Sequence, residues 1–195
     1  MSDEVTIVSR ELLSENWGRL SKYVIEMRAR DGSRERHIRE VYDHGHAAGI
    51  LLCDPDRGTV VLVRQYRLPV ELVGYDPALI EVCAGLLDGD DPETCARKEA
   101  EEETGYRPRT VSHVCDVYAS PGSLTEKISL FIGTYGPDSR VSNGGGLPHE
   151  GEDIEVLELP FETALGMARS GGIIDAKTVL LLQHAALEGV FRRGG

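Results

Sequence analysis

Three glutamates near the middle of the sequence have the residue type and spacing that can bind a divalent cation. Glu99, Glu102 and Glu103 lie at positions i, i+3 and i+4, which places them on one face of a helix. Like charges at this spacing repel one another, and acids near the C-terminal end of a helix oppose its dipole. A cation held between the carboxylates would reverse both penalties. The alternative is a solvated charged face, helped by Arg97 and Lys98, and the helix alone leaves the two interpretations evenly balanced.

The segment that carries these glutamates has the start and stop signals of a helix. Asp91 can cap the N-terminus, Pro92 suits the first helical position, and Gly105 is typical of the residue after the last turn. The sequence therefore predicts a helix over residues 92–104.

The remaining pattern predicts one mixed α/β domain with an N-terminal strand region. Apolar alternation and turn residues predict strands over residues 20–30, 34–42, 48–53, 59–64, 79–83, 111–118, 127–135 and 154–159. Two further helices are expected over residues 161–170 and 175–191. The glycine-rich stretch 136–153 is long enough to act as a lid over a site.

Composition and charge exclude several classes of partner. The 195 residues include 33 acids against 21 Lys and Arg, for a net charge of −12, which disfavours nucleic acid and anionic membrane surfaces. No apolar run is long enough to span a bilayer, and the N-terminus lacks the features of a signal peptide. The cysteines at 53, 83, 95 and 115 form no Cys-x-x-Cys pair. A cytoplasmic protein is expected.

The segment from Gly85 to Tyr106 resembles the signature sequence of the Nudix hydrolases, the Nudix box. Glu99, Glu102, Glu103 and Gly105 fall on its diagnostic core. The segment departs from the usual box in being one residue shorter.

Three substitutions accompany the shortening: Asp91 stands where Glu is usual, Lys98 replaces Arg, and Ala100 is small where a bulky apolar residue is usual. Both the shortening and the lysine are shared with the GDP-mannose hydrolase branch of the ADP-ribose pyrophosphatase-like Nudix enzymes. Other segments resemble the same branch, and they are Arg39–Asp43, Val63–Arg67, Ile80–Asp88, Ser120–Gly122 and Ile154–Phe161.

The resemblance covers nearly the whole chain and implies an architecture. It implies the α/β/α Nudix sandwich, with a mixed sheet and an N-terminal antiparallel strand appendage. Residues 1–44 would form the strand region used for dimerisation, and residues 45–195 the Nudix hydrolase domain. The branch forms homodimers whose N-terminal strands are exchanged or shared, so a homodimer is expected.

The resemblance also implies an activity. It is metal-dependent hydrolysis of the diphosphate linkage of a nucleoside diphosphate sugar, with Mg²⁺ as cofactor and Mn²⁺ as a possible substitute. GDP-mannose, giving GMP and mannose 1-phosphate, is the leading substrate. One alternative is ADP-ribose, giving AMP and ribose 5-phosphate. A non-catalytic nucleotide-sugar sensor on the same fold is the alternative from another class, and the intact cluster of glutamates argues against it.

Carried over residue by residue, the resemblance assigns metal ligands and a base. The backbone carbonyl of Ala84, with Glu99, Glu103 and Glu152, would hold the metal. Glu102 would be a ligand through water or an electrostatic support. Glu152 would act as the general base, with Glu150 as its rival, so that Glu102, Glu103 and Glu152 are the predicted catalytic residues.

The same comparison assigns contacts to the substrate. Arg39, Arg67 and Lys177 match positions that bind the substrate in the relatives, and Glu126 matches a further contact. Trp17 falls where the branch has an aromatic residue that stacks on guanine; ordinary hydrophobic packing is the alternative.

Overall fold

The computed structural model describes residues 5–147 and 151–191. Its strands are β1 (Val5–Glu15), β2 (Arg19–Arg28), β3 (Arg34–Asp43), β4 (Ala47–Asp54), β5 (Thr59–Tyr66), β6 (Ala78–Glu81), β7 (Cys83–Leu86), β8 (Thr110–Tyr118), β9 (Lys127–Thr134) and β10 (Glu155–Pro160). Its α-helices are α1 (Leu68–Leu72), α2 (Pro92–Glu99), α3 (Phe161–Ser170) and α4 (Ala176–Leu187). None of the described helices has the length and apolar character needed to cross a bilayer.

The chain divides into two compact units. The first contains the described residues up to His46 together with Tyr118–Lys127, and the second contains Ala47–Val117 and the described residues from Ile128 onward. The functional division made from the sequence, into a dimerisation region at 1–44 and a hydrolase domain at 45–195, stays a prediction.

The first unit contains a three-stranded antiparallel sheet in the order β1-β2-β3. Strand β1 was not predicted from the sequence. Its register against β2 shifts between Ile7 and Ser9 and again between Leu12 and Ser14. Each irregularity adds a residue without a partner and breaks the alternation of apolar side chains that reveals a strand. All eleven residues of β1 are exposed.

The second unit is built on a mixed sheet in the order β10-β5-β4-β9-β8, with β6 paired to β5 and β7 paired to β4. Strand β4 runs parallel to β9 and antiparallel to β5. Alternate residues of β4 face opposite sides of the sheet, so Leu51 packs in a core with α3 and α4, whereas Ile50 packs in a core with α2. The predicted α/β/α sandwich with a mixed sheet is confirmed.

The helix that carries the glutamates begins as predicted but changes its geometry before it ends. Asp91 caps α2, accepting a hydrogen bond from the backbone N–H of Thr94 at 3.1 Å. From Ala100 to Thr104 the helix widens into a π-helical turn, and Gly105, with φ of 77°, ends it. Glu103 is buried in this wider turn, whereas Glu99 and Glu102 are half-buried. That the three glutamates share one face stays a prediction.

The hairpin between β4 and β5 is held by a buried carboxylate. Asp54 is 3% exposed and accepts a hydrogen bond from Nε of Arg57 at 2.7 Å. It also accepts the backbone N–H groups of Asp56 and Arg57, both at 3.1 Å. Burial raises the pKa of Asp54, but these bonds outweigh it and hold the pKa below its usual value. The network stabilises the turn.

Candidate active site

The most deeply buried acid of the predicted site is Glu103, on the π-helical turn. Its side chain is 1% exposed, and the backbone N–H of Ala84 donates a hydrogen bond to it. Within the described part of the chain, its Oε2 atom is buried and has no hydrogen-bond partner. Burial raises the pKa of Glu103 well above its usual value, and the charges of Glu99 and Glu152 raise it further, against the opposing charge of Arg67. A bound cation would satisfy this carboxylate.

The position of the Glu99 carboxylate, at the end of α2, depends on a glycine in β7. The carboxylate lies against Gly85, and a Cβ atom at that position would overlap with the Oε1 and Cδ atoms of Glu99. Ala84, the residue before it, is paired with Gly49 of β4. The glycine at 85 therefore lets the helix end and its carboxylate approach the strand that carries Ala84.

The glycine-rich segment after β9 is attached to the helix end by its backbone. The N–H of Gly145 donates to the carbonyl of Glu103 at 2.8 Å, and the N–H of Gly146 donates to the carbonyl of Glu102 at 3.1 Å. Gly144 has φ of 66°, and a Cβ atom there would overlap with the backbone of Thr104. Glycine is thus required at position 144 for this close backbone contact, and the N–H groups of Gly145 and Gly146 satisfy carbonyls at the end of the helix.

This attachment places Glu152. The backbone N–H of Leu147 donates to Oε2 of Glu152 at 2.8 Å, and a Cβ atom on Gly146 would overlap with the same carboxylate. The charge of Glu152 raises the pKa of Glu103, which indicates that the two carboxylates lie within electrostatic range of each other. Glu150, the rival base, lies outside the described residues.

Two of the predicted substrate-binding cations converge on a single buried acid. Glu81, 2% exposed at the end of β6, accepts Nε of Arg67 at 2.6 Å and Nζ of Lys177 at 3.2 Å. Lys177 also donates to Asp175 at 2.7 Å. The structure thus brings Arg67 and Lys177 together, and the charge of Arg67 acts on Glu103.

Trp17, Arg39 and Glu126 belong to the other compact unit. The Trp17 ring is 71% exposed and stacks on the imidazole of His44, with ring centroids 5.0 Å apart. Arg39 is exposed on β3, and Glu126 is half-buried. The roles of all three in binding a substrate stay predictions.

The donor set of the predicted metal site suits a hard cation. In residues 5–147 and 151–191 there is no group of three or more His, Cys, Asp or Glu side chains already gathered around one point. Mg²⁺ needs no such cage, because it keeps several waters and takes one or two carboxylates together with substrate phosphates. The Oε2 atom of Glu103, buried and without a partner in the described parts of the chain, is the observation that fits a metal ligand.

Sequence reasoning missed Glu81 as a residue of this region. The signal was present, since Glu81 is an acid within an apolar run from Leu79 to Cys83. A charged residue in a buried strand needs a partner, so this position should have been assigned one.

Comparisons with known proteins agree with this geometry. The family model described as "NUDIX domain" matches residues 43–182. The chain belongs to the Nudix hydrolase family. A second model, described as "GDP-mannose pyrophosphatase NudK N-terminal domain", matches residues 4–42 of this Nudix hydrolase. The resemblance seen in the sequence is therefore confirmed.

Similar proteins cover this Nudix hydrolase over nearly its full length. A GDP-mannose pyrophosphatase of Pectobacterium atrosepticum is 48% identical over 195 residues, 100% of both chains. Proteins of the same name are 50% identical in Cronobacter sakazakii, over 97% of this chain and 99% of the relative, and 51% identical in Salmonella arizonae, over 94% and 96%.

Proposed function

We propose that this Nudix hydrolase cleaves the diphosphate linkage of a nucleoside diphosphate sugar, GDP-mannose, into GMP and mannose 1-phosphate. The observation that carries the proposal is the buried carboxylate of Glu103, whose Oε2 has no partner among the described residues and whose pKa is raised by the charges of Glu99 and Glu152. The names of relatives at about half identity support the choice of GDP-mannose.

The residues that would hold Mg²⁺, or Mn²⁺ in its place, are Glu99, Glu103, Glu152 and the carbonyl of Ala84. When bound, the ion would neutralise charge on the phosphates and lower the pKa of a coordinated water. Arg67 and Lys177 supply positive charge for the diphosphate group. These two cations bind and orient the substrate.

Glu152 is the residue we propose to accept a proton from the attacking water. Its carboxylate is fixed by the N–H of Leu147 at 2.8 Å, which restrains the direction in which it can accept. Glu102, which precedes Glu103 in the sequence and is half-exposed, would act through its charge or through a bridging water.

A substrate comparison tests this function. We expect Mg²⁺-dependent release of GMP and mannose 1-phosphate from GDP-mannose, with kcat/KM at least about tenfold above that for ADP-ribose. Adding EDTA should abolish turnover, and adding back Mg²⁺ or Mn²⁺ should restore it. Hydrolysis that persists in EDTA, or a preference for ADP-ribose, would contradict the proposal; binding of GDP-mannose without turnover would favour a sensor.

We propose that the exposed N-terminal sheet is the interface of a homodimer. Paired residues of adjacent strands share a face, so Val5 and Ile7 of β1 lie on the same face as Met27 and Ile25 of β2. Val5 is 45% exposed and Ile7 is 63% exposed. Tyr23 of β2 also lies on this face, and Arg39 of β3 pairs with it, so Arg39 shares the face. A second copy covering it would bury apolar area and bring Arg39 into the interface.

Substitutions at two neighbouring residues of β1 test the proposed dimer interface. Ile7→Lys should place a charge in the apolar face and shift sedimentation velocity towards monomer. Thr6→Lys is the control, because Thr6 lies on the opposite face, where it pairs with Glu26. An Ile7→Lys variant that sediments like wild type would contradict the assigned interface.

We propose the cytoplasm as the place of action. All four cysteines are free thiols, and those at 53, 83 and 95 are buried. Reduced thiols are the usual state in that compartment.

A further inference from the structure

We propose that Glu81 is a positioning residue that aligns Arg67 and Lys177 for the diphosphate group of the substrate. The inference rests on the proposed function and extends it to a residue that lies behind the substrate-binding cations. Glu81 is 2% exposed, so it acts through the cations and not by touching the substrate.

Each of the two cations uses some of its N–H groups to bind acidic side chains and leaves the others for the substrate. Arg67 gives Nε to one oxygen of Glu81 at 2.6 Å and Nη2 to the other at 3.2 Å. This two-point contact fixes the plane of the guanidinium and leaves its Nη1 edge for an anion. Lys177 gives two of its ammonium hydrogens to Glu81 and Asp175, and the described residues leave the third for a phosphate oxygen.

Glu81 itself is held in place from the other side. Asp175 caps α4 and accepts the backbone N–H of Thr178 at 2.9 Å and its hydroxyl at 2.7 Å. The hydroxyl of Thr178 in turn accepts the backbone N–H of Val82, the residue after Glu81, at 2.7 Å. The start of α4 and the junction of β6 with β7 therefore form one hydrogen-bonded frame, from which both cations are aimed.

Burial shows why the cations need this acid. The Lys177 side chain is only 17% exposed. Burial lowers the pKa of Lys177, but Asp175 and Glu81 outweigh it, and the pKa lies above its usual value. Burial also lowers the pKa of Arg67, but Glu81 is the main group that raises it, and the pKa lies above its usual value. The acid keeps both groups charged at a place where a lone cation would be costly.

The second buried carboxylate–arginine pair of the same sheet provides a comparison. Asp54 and Arg57 have side-chain exposures of 4% and 39%, against 3% and 39% for Glu81 and Arg67. Asp54 stabilises a turn, whereas Glu81 joins two cations from different elements. Asp54 is therefore a control for the structural effect of removing a buried carboxylate, against which the positioning role of Glu81 can be measured.

The test compares Glu81→Asp and Glu81→Gln with Asp54→Asn as the matched control. Binding of inorganic pyrophosphate is measured by calorimetry in EDTA, and KM and kcat are measured with GDP-mannose and Mg²⁺. Glu81→Asp keeps the charge but withdraws the carboxylate by about one bond length, so the two cations can no longer both be aligned. We expect Kd and KM to rise about tenfold in both Glu81 variants, with kcat changed less than about threefold.

The alternatives give other results. If Glu81 acted through its charge alone, Glu81→Asp would bind pyrophosphate like wild type and Glu81→Gln would bind it more tightly. If its role were only structural, the melting temperature would fall with Kd unchanged, as we expect for Asp54→Asn. Either result would overturn the inference, and so would a wild-type protein that does not bind pyrophosphate.

The same measurements separate this inference from the proposed function. A wild-type protein that binds pyrophosphate but does not hydrolyse GDP-mannose would refute the function, and weaker pyrophosphate binding in the Glu81 variants would still support the alignment. Glu81→Asp retains a buried carboxylate paired with the cations, so it can be measured even if Glu81→Gln does not fold.

Discussion

Replacing Glu103 by glutamine should lower kcat for the diphosphate substrate by about a thousandfold while the protein remains folded. The side chain is buried, and its Oε2 atom has no hydrogen-bond partner within the described residues. Burial and the charges of Glu99 and Glu152 already disfavour its charged form. A neutral amide of the same shape therefore removes repulsion from the fold but also removes the ligand that we propose for the metal. We expect the melting temperature in EDTA to be no lower than that of wild type.

Two measurements distinguish this loss of a ligand from damage to the fold. Mg²⁺ should raise the melting temperature of wild type more than that of Glu103→Gln, because the stabilisation by a ligand grows with the logarithm of its concentration divided by Kd. Glu101→Gln is the control on the same turn, since Glu101 pairs with Arg107 at the surface at 2.8 Å. The control should keep kcat within about twofold of wild type. A Glu103→Gln enzyme with wild-type turnover would refute the proposed site.

The elements of the second unit were largely predictable from the sequence because their signals are local. Helix α3 has the predicted bounds, Phe161–Ser170, and β5 and β9 differ from prediction by two residues at most. Asp91 and Gly105 mark the ends of the helical segment through hydrogen bonding and backbone conformation that depend on residue type. Such signals need no knowledge of distant contacts.

The features that escaped prediction depend on contacts between distant segments. Strand β1 is hidden by irregular pairing, and the π-helical geometry of the last turn cannot be read from the helix signals of the sequence. The link between Glu81 and Lys177 joins residues 96 positions apart. Periodicity along one segment carries no information about such a pair, so spacing could indicate the acids of the predicted metal site but not the hydrogen-bonded frame behind Arg67 and Lys177.

The glycine-rich segment was expected to be a lid, and its backbone bonds to the helix end now give a sharper prediction. Gly146→Ala should lower kcat by about ten- to a hundredfold, because a displacement of a catalytic group by about 1 Å can cost that much. Its Cβ atom would overlap with the carboxylate of Glu152, the proposed base. KM should change much less, since Arg67 and Lys177, which we propose to bind the substrate, lie on other elements. The measurement is steady-state kinetics with GDP-mannose and Mg²⁺.

Gly145→Ala is the matched control, because it imposes the same kind of backbone strain without the collision. Gly145 and Gly146 have φ of 106° and 78°, so alanine at either position should cost about 1–2 kcal/mol of stability. At Gly145, however, the nearest atom to an added Cβ is the carbonyl oxygen of Ile154 at 3.8 Å, an ordinary contact. Both variants should therefore melt earlier than wild type, and only Gly146→Ala should lose turnover. Equal kcat in the two variants would show that Glu152 does not need this placement and would remove it as the base.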